Sequence, residues 1–169
     1  MTLPLTPSQT VGPFFSIGLA RRTENELVPK GSDGAILLEG HVLDADGTPV
    51  PDAMVEIWQA DPTGTYETGF GWGRSGTDAQ GFYSFVTVKP GSVDGQAPHL
   101  SMLVFMRGLL KPVLTRVYFS DEAEANAADP VLVGVAEEAR SLLVAIGDGG
   151  VFRLDVRMQG ENETPFFTL

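Results

Sequence analysis

The chain has no cysteine and only two histidines in 169 residues. The first absence excludes disulfides, thiolate metal sites and cysteine nucleophiles, and fits a reducing cytoplasm. The second leaves His41 and His99 as the whole imidazole supply, which gives no convincing zinc site. Basic residues are also scarce: 11 Lys and Arg stand against 22 Asp and Glu, for a formal charge of −11. No basic patch can outweigh the repulsion from phosphates, so a nucleic-acid partner is excluded. The same field disfavours anionic substrates unless cations are gathered locally. No apolar run reaches the ~18 to 20 residues of a membrane span. Residues 1–7 lack the basic and apolar regions of a signal peptide, so a cytoplasmic chain with no membrane partner is expected.

What the chain does hold is 43% hydrophobic and 20% charged residues, with 20 glycines and 12 prolines. The first pair of values is that of a globular protein. The second spreads turns through the sequence, an all-β signature. One domain with a substantial arm is expected at this length, and roughly 70% of the unfolded surface can be buried. Residues 1–34 read as the arm. Around VGPFFSIGL at 11–19, Pro13 and the glycines interrupt any helical period, which predicts an extended segment. Phe14 and Phe15 must then dock on the domain or on another chain.

Residues 35–169 read as the domain. Strands are expected at 35–43, 53–59, 82–88, 102–105 and 113–119, from period-two alternation and apolar runs bounded by turn residues. DADG at 44–47 and DAQG at 78–81 are turns, and 61–76 is a long loop, hence functional or interfacial. A short helix at 121–128 is expected to be capped by Ser120 or Asp121 and ended by Pro130. Residues 142–157 form a hairpin around GDGG at 147–150. The tail ends in Phe166 and Phe167, which again call for docking. About eight strands and one short helix make an all-β fold, a transthyretin-like β-sandwich.

Residues 97–108, APHLSMLVFMRG, place an imidazole and a guanidinium at the two ends of an apolar run. Taken alone, His99 is a metal ligand only if a second ligand lies nearby. His41 sits mid-strand and reads as a solvent-facing or hydrogen-bonded residue. No nucleophile elbow accompanies either histidine. Phenolates suit ferric iron, but Tyr83 and Tyr118 fall in strand patterns, which leaves Tyr66, in the loop, as the free phenol.

Taken in order, TPSQTVGPFF at 6–15, GHVLD at 40–44, EIWQAD at 56–61, GRSGTD at 73–78, TVKPG at 87–91, APH at 97–99 and RVYF at 116–119 resemble the intradiol ring-cleavage dioxygenases, and the likeness extends through QGE at 159–161 to the terminal phenylalanines. The resemblance implies that family's β-sandwich. It also implies chemistry at a ferric iron held by two tyrosinates and two histidines, the histidines two residues apart. His99 matches the first histidine, but Ser101 stands at the second. Tyr66 matches one tyrosine, while Gly91 is followed by Ser92 and Val93 where the other is expected. Serine is a poor iron ligand at neutral pH and valine is none, so Tyr66 and His99 are vestigial positions and this chain is expected to hold no metal alone.

That departure implies the non-iron chain of a two-chain enzyme. Its partner would be a homologous β chain carrying Fe(III), in a higher-order αβ oligomer that cleaves protocatechuate, a carboxylated catechol, with O2. The resemblance carries Thr10, Gly12, Pro13 and Phe14 over as walls of the shared pocket, and Arg107 as the arginine that faces substrate. Glycine and proline let backbone approach a flat ring, and an arginine stabilises an anion against the chain's negative field. A binding or structural module on the same sandwich, without catalysis, is one alternative, and a self-sufficient enzyme with an unusual metal site on Tyr66 and His99 is another.

Overall fold

Asp44 and Asp78 set the first turns of the domain as their spacing predicts. Asp44 Oδ1 accepts from the N–H groups of Asp46 and Thr48 at 3.0 and 2.8 Å, and Asp78 Oδ1 accepts from those of Gln80 and Phe82 at 2.8 and 3.0 Å. Each aspartate thereby closes a reversal, the first laying Pro49 and Val50 back against Leu43 and Val42 and the second returning Phe82 to Asp78. The structure, a computed structural model, describes residues 4–12, 14–20, 24–66 and 69–168.

The strands are β1 Ala35–Leu43, β2 Met54–Gln59, β3 Trp72–Gly76, β4 Phe82–Val88, β5 His99–Phe105, β6 Val113–Phe119, β7 Val144–Asp148, β8 Val151–Arg153 and β9 Val156–Arg157. They pair in the order β3-β2-β5-β6-β7-β8-β1-β4, with β9 beside β1. Leu100, Met102 and Val104 of β5 and Val117 and Phe119 of β6 are fully buried, as are Leu38 and Val42 of β1 and Phe85 of β4. Alternate positions therefore form one core between two layers, while His99, Ser101 and Leu103 of β5 lie on the opposite face of the strand, with His99 buried there beneath other segments.

The two end strands, β3 and β4, nearly meet: the Ser84 N–H donates to Ser75 Oγ at 3.3 Å. Residues 24–28 fill the seam. Glu24 C=O accepts from Arg74 N–H at 2.9 Å, Asn25 C=O accepts from Val86 N–H at 2.8 Å, and Leu27 N–H donates to Val86 C=O at 2.8 Å. Leu27 packs on the core, where a Cβ at Gly73 would meet its Cδ1 at 2.4 Å. The result is a nearly closed β-sandwich.

Several expectations need correction. Residues Phe15–Leu19 form a short helix, α1, whose start is closed by Phe15 N–H donating to Gly12 C=O at 3.1 Å and Gly18 N–H donating to Phe14 C=O at 2.9 Å. The last five residues of the expected loop form β3, whose glycines are tolerated because they lie against the seam. The acidic helix is α2, Ala123–Ala128, and neither Ser120 nor Asp121 caps it. Asp121 instead pairs with Lys89 at 2.6 Å, and Ser120 Oγ accepts from Gly147 N–H at 3.1 Å. Pro130 opens a further helix, α3 Pro130–Val133, at a position where its missing N–H costs nothing, with Asp129 as the cap. A 3₁₀ helix, Glu137–Leu143, takes up the start of the expected hairpin strand. Phe166 and Phe167 dock on their own domain, with Phe167 N–H donating to Leu114 C=O at 2.8 Å.

Candidate functional site

The turn after β5 gathers the first group of candidates. Gly108 adopts φ +97°, left-handed backbone that glycine takes without a Cβ clash. Its N–H donates to Thr10 Oγ1 at 2.8 Å, so the arm lies against the turn that presents Arg107. Arg107 Nη2 is 2.8 Å from Asp52 Oδ2, and the arginine side chain is 57% exposed. Thr10 is thus brought to the turn that carries Arg107, across 98 positions of sequence. Gly12 and Phe14 continue along the arm. A Cβ on Gly12 would meet nothing within 4 Å, and Phe14 is 77% exposed, so neither packs on the sandwich. Pro13 lies outside the described residues.

The outward face at the start of β5 holds the second group. Register places Ser101 opposite Trp58 of β2 and Arg116 of β6, and His99 opposite Tyr118. The His99 Nδ1–H donates to Ala97 C=O at 2.8 Å; a carbonyl only accepts, so the proton sits on Nδ1 and the Nε2 lone pair is left. Burial holds the imidazole below its ordinary value, the Ala97 bond opposing and the Arg116 charge reinforcing that shift. His99 is therefore neutral at pH 7.

Tyr66 is delivered by a tight loop. Asp61 Oδ1 accepts from Thr63 Oγ1, Thr63 N–H and Thr65 N–H at 2.7, 2.9 and 3.2 Å. Gly64, at φ +84°, sits so close to Ser92 that a Cβ would lie 2.2 Å from its carbonyl oxygen. Only glycine permits that approach, which ties the loop to the turn after β4. Tyr66 then stacks on Trp58, ring centroids 6.2 Å apart and planes 3° from parallel. Burial raises the phenol's pKa, with the Arg116 charge opposing, so it stays protonated.

Arg116 is the residue that sequence reading passed over. Its Nη1 donates to Gln96 Oε1 at 2.7 Å and to Tyr118 Oη at 3.3 Å. Tyr118 Oη in turn donates to Asp129 Oδ1 at 3.1 Å. Asp129 is fully buried and also accepts from the N–H groups of Ala97, Val131 and Leu132, each at 2.8 Å. Burial works to raise the Asp129 pKa, but these donors outweigh it and hold the group as a carboxylate. The signal for Arg116 was its place opposite Ser101, which exists only once β5 and β6 are paired.

These side chains do not fit a ferric site. The Arg116 guanidinium already acts on both Tyr66 and His99, the Tyr66 phenol is held protonated, and Ser101 offers only a hydroxyl. Among the described residues no group of three His, Cys, Asp or Glu could hold a metal. His41, the other histidine, is half-exposed and bonded through its N–H and Nδ1 to Asp155 Oδ1 at 2.9 and 3.1 Å.

Comparison with known proteins adds to this geometry. Residues 11–106 match a family model described as Dioxygenase. The chain is 45% identical to the protocatechuate 3,4-dioxygenase alpha chain of Burkholderia cepacia, over 98% of both chains. It is 31% identical to the beta chain of the same enzyme from that organism, over 77% of this chain and 66% of the relative. In fold it is like the intradiol ring-cleavage dioxygenase of Tetranychus urticae, with a TM-score of 0.65 at 18% identity, covering 92% of this chain and 94% of that one. An α-type sequence from end to end, on the sandwich that these enzymes share, places the protein: the chain belongs to the intradiol ring-cleaving dioxygenase family.

Proposed function

We propose that this chain is the alpha subunit of a protocatechuate 3,4-dioxygenase. It completes the active site of an iron-bearing beta chain for the O2-dependent cleavage of protocatechuate to 3-carboxy-cis,cis-muconate, within a higher-order αβ oligomer in the cytoplasm. End-to-end identity with an alpha chain supports the reading, as does a vestigial centre that lacks a ferric ligand set. The Fe(III) on which the family depends is assigned to the partner and supplies the electronic activation of substrate toward O2 there. This chain binds, orients and encloses.

The observation that carries the proposal is the Thr10 to Gly108 hydrogen bond, which joins arm and turn into a single wall. In it, Thr10, Gly12 and Phe14 line the ring pocket. Phe14, left in water on the isolated chain, is an apolar surface that a partner and a flat ring can cover. Arg107 supplies the local cation that a carboxylated substrate needs against a net charge of −11.

The test is Arg107→Ala, assayed in the assembled complex. The expected loss in kcat/KM for protocatechuate is on the order of 2 to 4 kcal/mol, the scale of one lost electrostatic donor in an enclosed site. Wild-type kinetics would contradict the role.

A further inference from the structure

Asp52 is the partner that the arginine already has, and its surroundings are built with unusual care for a surface turn. Its backbone lies at φ +60°, a left-handed conformation uncommon in any residue but glycine, though Asp and Asn tolerate it best. The turn is clamped from behind by Thr77. Ala53 N–H donates to Thr77 Oγ1 at 2.8 Å, Thr77 Oγ1 donates to Val50 C=O at 2.9 Å, and Thr77 N–H donates to Ala53 C=O at 2.8 Å. Ala53 itself is fully buried. A non-glycine residue keeps such a backbone only where its surroundings over-determine it, and such sites cluster where geometry serves function. Here the clamp delivers one carboxylate oxygen to 2.8 Å from Arg107 Nη2. The approach comes from Nη2, on one side of the guanidinium fork. Thr10 holds the next residue's N–H at 2.8 Å, so the Arg107 turn is fixed at its head by Asp52 and at its backbone by Thr10.

We infer that Asp52 is a positioning residue for Arg107: it holds Nη2 so that the rest of the guanidinium fork is presented, already ordered, to the carboxylate of the aromatic substrate. This rests on the assignment of Arg107 made above. A long side chain ordered before binding loses less freedom on binding, so the gain falls in substrate affinity and in recognition of the carboxylate. Chemistry at the ring carbons is left largely untouched. A pair half open to water has a modest effect.

The experiment compares protocatechuate with catechol, which lacks the carboxylate, in the assembled complex carrying Asp52→Ala, Asp52→Asn, Arg107→Ala and the Asp52→Ala/Arg107→Ala double substitution. Asp52→Ala is expected to raise KM for protocatechuate about three- to fivefold, the range open to a partly exposed ion pair, with kcat changed less than about twofold and catechol kinetics unchanged. Asn keeps the left-handed turn and an oxygen toward Nη2 while losing the charge, so Asp52→Asn is expected to be intermediate, at about twofold. In the Arg107→Ala background, Asp52→Ala should add nothing. Three results would overturn the inference while leaving Arg107 in place: unchanged protocatechuate KM for Asp52→Ala, equal losses on both substrates, or the full Asp52→Ala effect in the absence of Arg107. If Asp52→Ala fails to assemble, Asp52→Asn carries the same comparison. Wild-type kinetics for Arg107→Ala would overturn the assignment of the arginine, and the Asp52 inference with it.

Discussion

The hydroxyl of Thr10 accepts a hydrogen bond from the backbone N–H of Gly108 at 2.8 Å, across 98 residues of sequence. The N-terminal arm is therefore registered against the β5–β6 turn within a single chain, before any partner is engaged. Every contact proposed between arm and substrate depends on that registration.

Replacing Thr10 with Val keeps the shape and removes the acceptor. The bond is exposed, so its loss is expected to cost about 1 kcal/mol, read as roughly five- to tenfold faster exchange of the Gly108 amide in the complex. Thr10→Ser, which retains the oxygen, should exchange like wild type. Equal exchange in the Val variant would mean that the arm is held elsewhere.

The proposed loss of metal at Tyr66 and His99 predicts a failed restoration. Ser101→His returns the missing histidine opposite Arg116 but leaves the guanidinium's charge acting on Tyr66 and His99. The chain carrying that substitution, purified without its partner, is expected to bind less than about one-tenth of an equivalent of iron and to show no ferric–tyrosinate absorption, since a metal must displace or outcompete the resident cation. Stoichiometric iron in that variant would contradict the account of Arg116.

His99 makes stability depend on pH. Burial, first among its causes, lowers the folded pKa from the ordinary 6.5. Between the lowered value and 6.5 the unfolded chain binds the proton and the folded chain does not. The His99 contribution is thus complete above 6.5 and is lost as pH falls through the folded pKa, with a slope of at most ~1.4 kcal/mol per pH unit for one proton. Urea unfolding at about pH 7.5 and about pH 5.5 should show wild type losing more stability than His99→Gln over that interval. Parallel losses would remove His99 as the cause.

The sequence shows some of this more readily than the rest, for physical reasons. Strands β1, β2, β4, β5 and β6 are readable because alternation reports directly which side chains enter the core. Strand β3 is hidden by Gly73 and Gly76, whose lack of side chains makes sense only beside Leu27 and Ala20 of the arm. The α2 cap is misjudged because Asp121 has a better partner in Lys89, a residue 32 positions away. At the site, Arg107, Tyr66 and His99 can be named from the resemblance as motif positions, and Ser101 stands where the family's second histidine is expected. Asp52 and Arg116 are not visible. One acts across a turn and the other across a strand pair, and neither relationship has a local signature.

The central claim is that this chain completes a partner's iron site and does not carry one. Its most direct test is protocatechuate-dependent O2 uptake, measured with iron content on the chain purified alone and on the chain co-expressed with the matching beta chain. The account predicts no uptake and no stoichiometric iron for the single chain, against a co-purifying complex that contains iron and consumes O2 with substrate. Ring cleavage by the single chain, with an equivalent of bound iron, would contradict it.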